Sequence, residues 1–574
     1  MDLDKLIDWA TINGCKISSS IEFKQISQNN YGAILKSKSE KPKITLSENL
    51  IITSKQSLNL FDKETYNNSS NKNSLLKFYL CHERTKSGTF FDIYFKSLPS
   101  LSQIDSPYTW SSQDKAYLKG TNLGSSLNEN LATLVEEWWE VLNKLPESIP
   151  KPTNHYINMK FYYEYKFYKD DDYFEMFKNE DVDNWTSFTS YLWASLILKS
   201  RSFPSYLLSE TFEKNECMLL PIIDLLNHDS KAKVDWRVEN DGFEFTSNDE
   251  LLQGDEIFNN YGLKGNEELL LAYGFAIENN SNDSIALKIK LPQEKVKEIE
   301  SLGIKLPNLD DYTNSIIEKE TYRQVESKKD YSDGLLFFIN ANGVPENLIQ
   351  TFQALVKNQW EDTESITLRM KLSGLNHLRT ALESKKELVQ LSIPQDTTHH
   401  KYIKWYNESQ HKLYNSSIKQ IKQMENKILS ESKSNLITLK SVYKKDVKFQ
   451  QSLLFLGFPD YETILESEFQ DQCWLLWLIR VYNKKPDDEV LPHWIQSLFK
   501  HLRNTYDITT QDVLNYRSIY ENLVPDLQLQ VPEIYNIGDW TLSEFIISGK
   551  LLDLISFVRG KEQECILVEQ IYKI

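Results

Sequence analysis

The strongest constraint on the fold of this chain is an ordered set of three clusters between Pro221 and Phe275. The first reads Pro221-Ile222-Ile223-Asp224-Leu225-Leu226-Asn227-His228. The second reads Gly254-Asp255-Glu256-Ile257-Phe258-Asn259-Asn260-Tyr261-Gly262, and the third Asn266-Glu267-Glu268-Leu269-Leu270-Leu271-Ala272-Tyr273-Gly274-Phe275. Between the first two, Val234, Trp236 and Val238 alternate with polar residues. Asp241-Gly242 follows, then Phe243 and Phe245, a pattern that predicts a β-hairpin. Gly254-Asp255 predicts a second turn before a short strand, and the run after Gly265 predicts a helix through Tyr273. Singly, each cluster has a bland explanation: an Asn-His pair can end an element, and a Tyr before Gly is a common packed aromatic. Their order and spacing together are far more specific.

The rest of the chain frames this segment. Residues 63–77, rich in Asn, Ser and Lys, read as a flexible surface loop flanked by strand-like pieces such as Leu50-Ile51-Ile52. From about Pro99 helices take over: Leu131, Leu134, Val135, Trp138, Trp139, Leu142 and Leu145 share one helical face. The stretch from Trp185 to Leu198 is also helical in pattern. Beyond about Leu291 helical signals dominate, with Tyr414, Ile418, Ile421, Met424 and Ile428 spaced by three and four. Residues 308–334 read as a charged, mobile loop, and amphipathic pieces such as residues 474–482 follow Leu436. At 574 residues two to four domains are expected.

Charge narrows the partners. Asp and Glu outnumber Lys and Arg by 82 to 65, a net charge of −17, where a nucleic-acid binder leans the other way. The excess serves solubility or attracts basic proteins. Five cysteines, Cys15, Cys81, Cys217, Cys473 and Cys565, form no CxxC or CxC pair, which argues against a disulfide framework or a zinc cluster. The first ten residues carry Asp2, Asp4 and Asp8 without an apolar core, unlike a signal peptide, and no apolar run has membrane-spanning length. A cytoplasmic or nuclear location, no membrane and no direct nucleic-acid contact are expected. P-loop, GxGxxG, HExxH and GxSxG patterns are absent.

The three clusters resemble the SET-domain family of protein methyltransferases, within it the Rubisco large-subunit methyltransferase-like class. The likeness is strongest over residues 200–275 and extends more weakly from about Gln25 to about Leu429. Ser200-Arg201-Ser202-Phe203 is similar to that class's Ser-Arg-x-Phe segment. Leu98-Pro99 through Trp110 is similar to the segment that opens its helical insert. Gly343-Val344-Pro345 sits where relatives have a short turn, and the tail resembles an extension of fungal ribosomal-protein lysine methyltransferases. The resemblance implies an α+β protein: a SET domain over residues 1–285, with small curved β-sheets around a knot-like crossing and a helical insert at about 98–205. An all-α substrate-binding domain would occupy 286–435 and a helical C-terminal extension 436–574.

The resemblance also implies the chemistry. The cofactor is S-adenosylmethionine (SAM), with no metal, and the substrate is a protein lysine. A lysine with a pKa of about 10.4 attacks only when neutral, and a narrow apolar tunnel lowers that pKa by desolvation. By position, Tyr261 matches the catalytic tyrosine, whose hydroxyl would orient the target nitrogen; a pKa near ~10 speaks against a simple general base. Tyr273 and Trp236 match residues lining the lysine tunnel. Arg201 and Asp224 match polar residues near the substrate, or else form a buried ion pair that sets the architecture. Asn227 and His228 match the pair that contacts SAM. The SAM loop, usually GxG, reads Asn29-Asn30-Tyr31-Gly32-Ala33 here; Asn30 replaces the first glycine, and Asn tolerates left-handed backbone better than most residues. The absence of zinc-cluster cysteines fits a non-histone substrate.

A monomer acting on a basic protein is expected, a ribosomal protein first; cytochrome c, an elongation factor or a histone tail are further substrates. Two other functions fit the same clusters. One branch of this class methylates a protein histidine, and a SET fold that lost catalysis would serve as a binding module.

Overall fold

The structure is a computed structural model that describes residues 2–27, 30–37, 41–167, 176–177, 179–239, 242–307, 331, 334–361, 364–486, 488–560 and 563–574. Asn29, Asp241 and nearly all of the charged stretch 308–334 lie outside the described residues. The chain forms two compact units. The first is built from residues 1–285 together with 387–412, the second from the described parts of 286–386 and from 413–574.

Among the described residues the first unit carries three small antiparallel sheets. Strands β1 (Lys16–Ile17), β2 (Ile21–Ser27), β3 (Asn30–Leu35) and β4 (Lys43–Ser47) precede the helices. Strands β5 (Ser202–Pro204), β6 (Cys217–Leu219), β7 (Val234–Glu239), β8 (Gly242–Ser247) and β9 (Glu256–Ile257) follow them. The sheets run β1-β4-β8-β7, β2-β3-β9 and β5-β6. The hairpin forms as the alternation predicts: β7 pairs with β8, Trp236 opposite Phe245 and Val238 opposite Phe243. β8 has neighbours on both edges and is buried at every position, Glu244 included. That carboxylate is matched by Lys43 Nζ at 3.2 Å and Arg237 Nη2 at 3.1 Å, as a buried charge requires.

The helix Phe188–Arg201 is the axis of this unit. Residues 188–198 are all buried, because Tyr191, Leu192, Trp193, Ala194, Leu196 and Ile197 leave no polar face. Ser187 caps its start by accepting from the Ser190 amide, and Pro204 lies just beyond its end. The helix Asn122–Leu142 buries Leu131, Leu134, Val135, Trp138 and Leu142, the face its periodicity predicts.

Residues 63–77 are not the surface loop expected from composition. They form the helix Lys63–Asn68 and the start of the helix Lys72–Arg84. The polar residues there are caps and exposed faces: Asp62 accepts from the Thr65 amide at 2.7 Å. Leu75, Leu76, Phe78, Leu80 and Cys81 are buried, and the Phe78 ring lies 5.0 Å from Tyr191. Leu50-Ile51-Ile52 is also not a strand. A 3₁₀ turn, Glu48–Leu50, leads to a single antiparallel bridge between Ile52 and Leu219.

The second unit is predominantly helical, with Gly343 at φ +101 in a turn closed by a bridge to Asn340. It departs from an all-α expectation by two small sheets among the described residues. One pairs β10 (Ile285–Ile289) with β11 (Leu335–Ile339). The other runs β12 (Leu436–Ile437), β14 (Glu564–Val568), β13 (Ser556–Arg559). β13 and β14 are short runs rich in Val, Ile and Phe that the helix-period reading passed over. The segment at 474–482 belongs to the helix Gln470–Tyr482, which is buried all round from Cys473 to Val481 rather than amphipathic.

Candidate functional site

Four pieces of the first unit converge on Tyr261. The helix Phe188–Arg201 ends by presenting Arg201. After β6 the chain makes a tight turn and a 3₁₀ turn, Ile223–Leu225, that presents Asp224. Ile222 stands at φ +74, ψ −49, fully buried. That strained conformation, unusual for a β-branched residue, is held by surrounding packing and sits two residues before Asp224. Residues 226–228 then run extended, and His228 makes a parallel bridge to Asn259, with the Asn259 amide on Asn227 O at 2.8 Å. The helix Asn266–Tyr273 supplies Tyr273.

The rings stack in series. His228 lies over Tyr261 with centroids 4.9 Å apart and planes 13° apart, and Tyr261 over Tyr273 at 5.0 Å and 14°. The Tyr261 amide donates to His228 Nδ1 at 3.1 Å, and its hydroxyl donates to Leu226 O at 2.7 Å. An accepting Nδ1 makes His228 the neutral Nε2–H tautomer, and burial lowers its pKa in the same sense. Burial pushes the Tyr261 phenol up to about 12, and that of Tyr273 well above its ordinary value. Both hydroxyls are therefore protonated at neutral pH.

Arg201, partly exposed, pairs with the buried Asp224. Arg201 Nη1 donates to Asp224 O at 3.0 Å and lies 3.3 Å from Asp224 Oδ2, which also accepts from Tyr94 OH at 2.9 Å. Burial pushes the Asp224 carboxyl up against the pull of Arg201 and Tyr94. Burial opposes the Arg201 charge, and Asp224 together with the Tyr94 and Tyr261 hydroxyls more than restores it. Asp224 Oδ1 is buried without a hydrogen-bond partner among the described residues.

A second focus surrounds Gly32. Its α-carbon faces the side chains of Glu256 and Asn227, which are bonded to each other at 2.6 Å. A β-carbon there would lie 2.7 Å from Glu256 Oε1 and 3.0 Å from Asn227 Nδ2. Only glycine leaves this cradle open. Asn30 opens β3 opposite Ser27, and Tyr31 stands opposite Gln25. Trp236 sits apart from the stacked rings in its contacts. Its Nε1 donates to Asn259 Oδ1 at 3.2 Å and its ring meets Phe203 edge-on at 5.3 Å.

Sequence reasoning gave no role to Tyr94, which shares the Asp224 carboxylate, or to Glu256, which closes the Gly32 cradle. Glu256 stood inside a quoted cluster; Tyr94 carried no local signal. Asn259, Asn260 and Asn266 are buried and hold main chain. Asn260 Nδ2 bonds Ser230 O and Ala232 O, and Asn266 bonds Ile277 through both amide atoms. Among the described residues no three His, Cys, Asp or Glu side chains cluster as a metal ion would need, and no helix is long and apolar enough to cross a membrane.

Known proteins resemble this chain. Residues 284–432 match the family model of the EFM1 middle domain. The chain is 32% identical over 462 residues to ribosomal lysine N-methyltransferase 1 of Saccharomyces cerevisiae, covering 76% of this chain and 77% of that protein. It is 29% identical to the protein-lysine N-methyltransferase EFM1 of the same yeast, over 99% of this chain and 98% of that one. Among solved structures, Rubisco LSMT bound to AdoMet superposes with a TM-score of 0.54 at 16% identity, over 74% of this chain and 92% of that one, which shows the SET fold. With that fold and a curated relative of this identity and span, the chain belongs to the SET-domain protein-lysine N-methyltransferases, alongside the fungal ribosomal lysine N-methyltransferases.

Proposed function

We propose that this protein methylates a lysine of a ribosomal protein, with Tyr261 as its catalytic residue. The observation that carries the site assignment is the Tyr261 hydroxyl bonded to Leu226 O, next to Asn227 and inside the His228–Tyr261–Tyr273 stack. The fold and the family make it a SAM-dependent protein-lysine N-methyltransferase. SAM, when bound, supplies an electrophilic methyl group on a sulfonium.

The Gly32 cradle fits such a ligand. The methionyl part of SAM carries an ammonium and a carboxylate; the Glu256 carboxylate suits the first, and the Asn227 amide with main-chain N–H groups suits the second. Asn30, Tyr31, Gly32, Asn227 and His228 are the residues we assign to this task. His228, neutral and engaged with the Tyr261 amide, shapes the site rather than moving a proton.

At the lysine end, Tyr261 stays protonated because burial holds its pKa near 12. It therefore orients the amine through its oxygen lone pairs and does not act as a base. Tyr273 forms an aromatic wall that strips water from the amine and favours its neutral form, and Trp236, which reaches Asn259 beside this segment, is assigned to the same tunnel by its resemblance. Arg201 and Tyr94 hold Asp224 in place through its carbonyl and Oδ2, and the unsatisfied Asp224 Oδ1 is an acceptor suited to an N–H of the substrate.

The substrate class follows the relative named a ribosomal lysine N-methyltransferase and the net charge of −17, which suits a basic partner. We further propose a monomeric cytoplasmic or nuclear enzyme without direct nucleic-acid contact. Its domains are a SET domain over 1–285, a substrate-binding domain over 286–435 and an extension over 436–574. Incubating the protein and labelled SAM with ribosomal and soluble fractions from cells lacking the gene tests the reading. Label on a lysine of one ribosomal protein, located by mass spectrometry, is expected. Label on a histidine, or only in the soluble fraction, would overturn it.

A further inference from the structure

His399 lies far from the catalytic clusters in sequence, in the part of the first unit contributed by residues 387–412. Both of its ring nitrogens meet a carboxylate: Nδ1 is 2.6 Å from Asp114 Oδ2 and Nε2 is 2.8 Å from Asp105 Oδ1. Two carboxylate partners call for two N–H donors, which imidazole has only as the cation. The ring is stacked on Trp110, centroids 4.1 Å apart and planes 12° apart. Burial opposes the charge, but the hydrogen bonds and charges of Asp105 and Asp114 outweigh it and raise the pKa above 6.5. The charged neighbours on its own segment turn elsewhere: His400 Nδ1 donates to Pro394 O, and Lys401 lies over the Trp405 ring. The charges facing His399 are thus the two carboxylates, from the turn after the helix Leu101–Ile104 and from the helix Ser112–Ala116.

The turn that carries Asp105 is built against the end of the helix Asn266–Tyr273. Asp105 is left-handed at φ +56, and its carbonyl accepts from Trp110 Nε1 at 2.9 Å. Ser106 Oγ donates to Leu271 O at 2.7 Å. The main chain of Ile104 and Asp105 abuts Gly274 so closely that a β-carbon there would lie 2.2 Å from Ile104 O. The turn therefore grips the chain on both sides of Tyr273, at Leu271 and at Gly274, and the Tyr273 ring stacks on Tyr261.

We infer that His399 is a positioning residue for methyl transfer, acting through the Asp105–Ser106 step to hold Tyr273 against Tyr261. The inference rests on the assignment of Tyr261 and Tyr273 to the lysine site. While the imidazolium bridges the two carboxylates, the turn is pinned. Once the ring loses a proton, one nitrogen faces a carboxylate oxygen lone pair to lone pair, and the pin loosens. The sign is fixed by the raised pKa: positioning is complete at pH below about 6.5 and is lost as pH rises through the folded value.

The test is methyl transfer from labelled SAM into an extract of cells lacking the gene, from about pH 6 to about pH 9. It uses the full chain as wild type, His399→Gln, His399→Arg and Ser106→Ala, with SAM affinity measured by calorimetry for each. His399→Gln is expected to be slower than wild type by roughly fivefold or more near pH 6.5, with the gap closing towards pH 9 and SAM affinity unchanged. His399→Arg keeps a fixed charge and is expected to stay faster than His399→Gln at every pH. Ser106→Ala is expected to be slower by a factor independent of pH. A wild-type to Gln ratio that is constant with pH, or a rate loss that tracks lost SAM binding, would overturn the inference while leaving the function intact. No label with wild type would overturn the function and the inference with it.

Discussion

Tyr261 owes its character to what surrounds its hydroxyl. The phenol is protonated, and its proton is committed to Leu226 O, so the oxygen is left as an acceptor aimed by the stack of His228 and Tyr273. The proposed cofactor side is equally local. Asn227→Ala removes the amide that faces Gly32 and should weaken SAM binding by more than about 1 kcal/mol, the scale of a buried hydrogen bond; an unchanged calorimetric affinity would remove Asn227 from the site. Gly32→Ala places a β-carbon 2.7 Å from Glu256 Oε1, and an affinity loss of roughly tenfold or more is expected with the fold retained. That His228, Tyr261 and Tyr273 meet beside Asn227 was legible because each sits in a cluster whose neighbours set its backbone. Tyr94 was not, because it reaches Asp224 from 130 positions away, and Glu256 showed its importance only once β9 was paired with β3 beside Gly32.

At the scale of elements, the link between helices and site runs through short turns. The helix Asn266–Tyr273 stops at Gly274, φ +74, pressed against Ile104 O. Gly274→Ala would meet both a strained φ and a carbonyl, so a loss of more than about 1 kcal/mol of stability is expected, read as a lower thermal midpoint; an unchanged midpoint would contradict the close approach. The hairpin and the helix Asn122–Leu142 were legible because their apolar residues recur at periods 2 and 3.6. The helices over 63–77 were hidden by polar residues that cap and face water, while the apolar run that buries them begins only at Leu75. β13 and β14 were missed for a related reason: four- and five-residue strands carry too little periodicity to stand out beside long helices.

In the molecule as a whole, the site lies in the first unit, and the second is stabilised on its own terms. There Arg480 grips Asp446 with Nε at 2.8 Å and Nη2 at 2.9 Å, and Asp446 also caps a helix by accepting from the Phe449 amide. Asp446→Ala leaves a buried guanidinium unpaired and should cost about 3–5 kcal/mol, seen as an earlier unfolding transition. An unaltered melting profile would contradict this. The role proposed for Tyr261 in the first unit is open to single-turnover methyl transfer from labelled SAM to the identified substrate, with wild type and Tyr261→Phe side by side and SAM affinity measured on both. The Tyr261→Phe rate is expected to be lower by at least about tenfold, about 1.4 kcal/mol, with SAM affinity little changed. A Tyr261→Phe enzyme that transfers methyl at the wild-type rate would contradict that role.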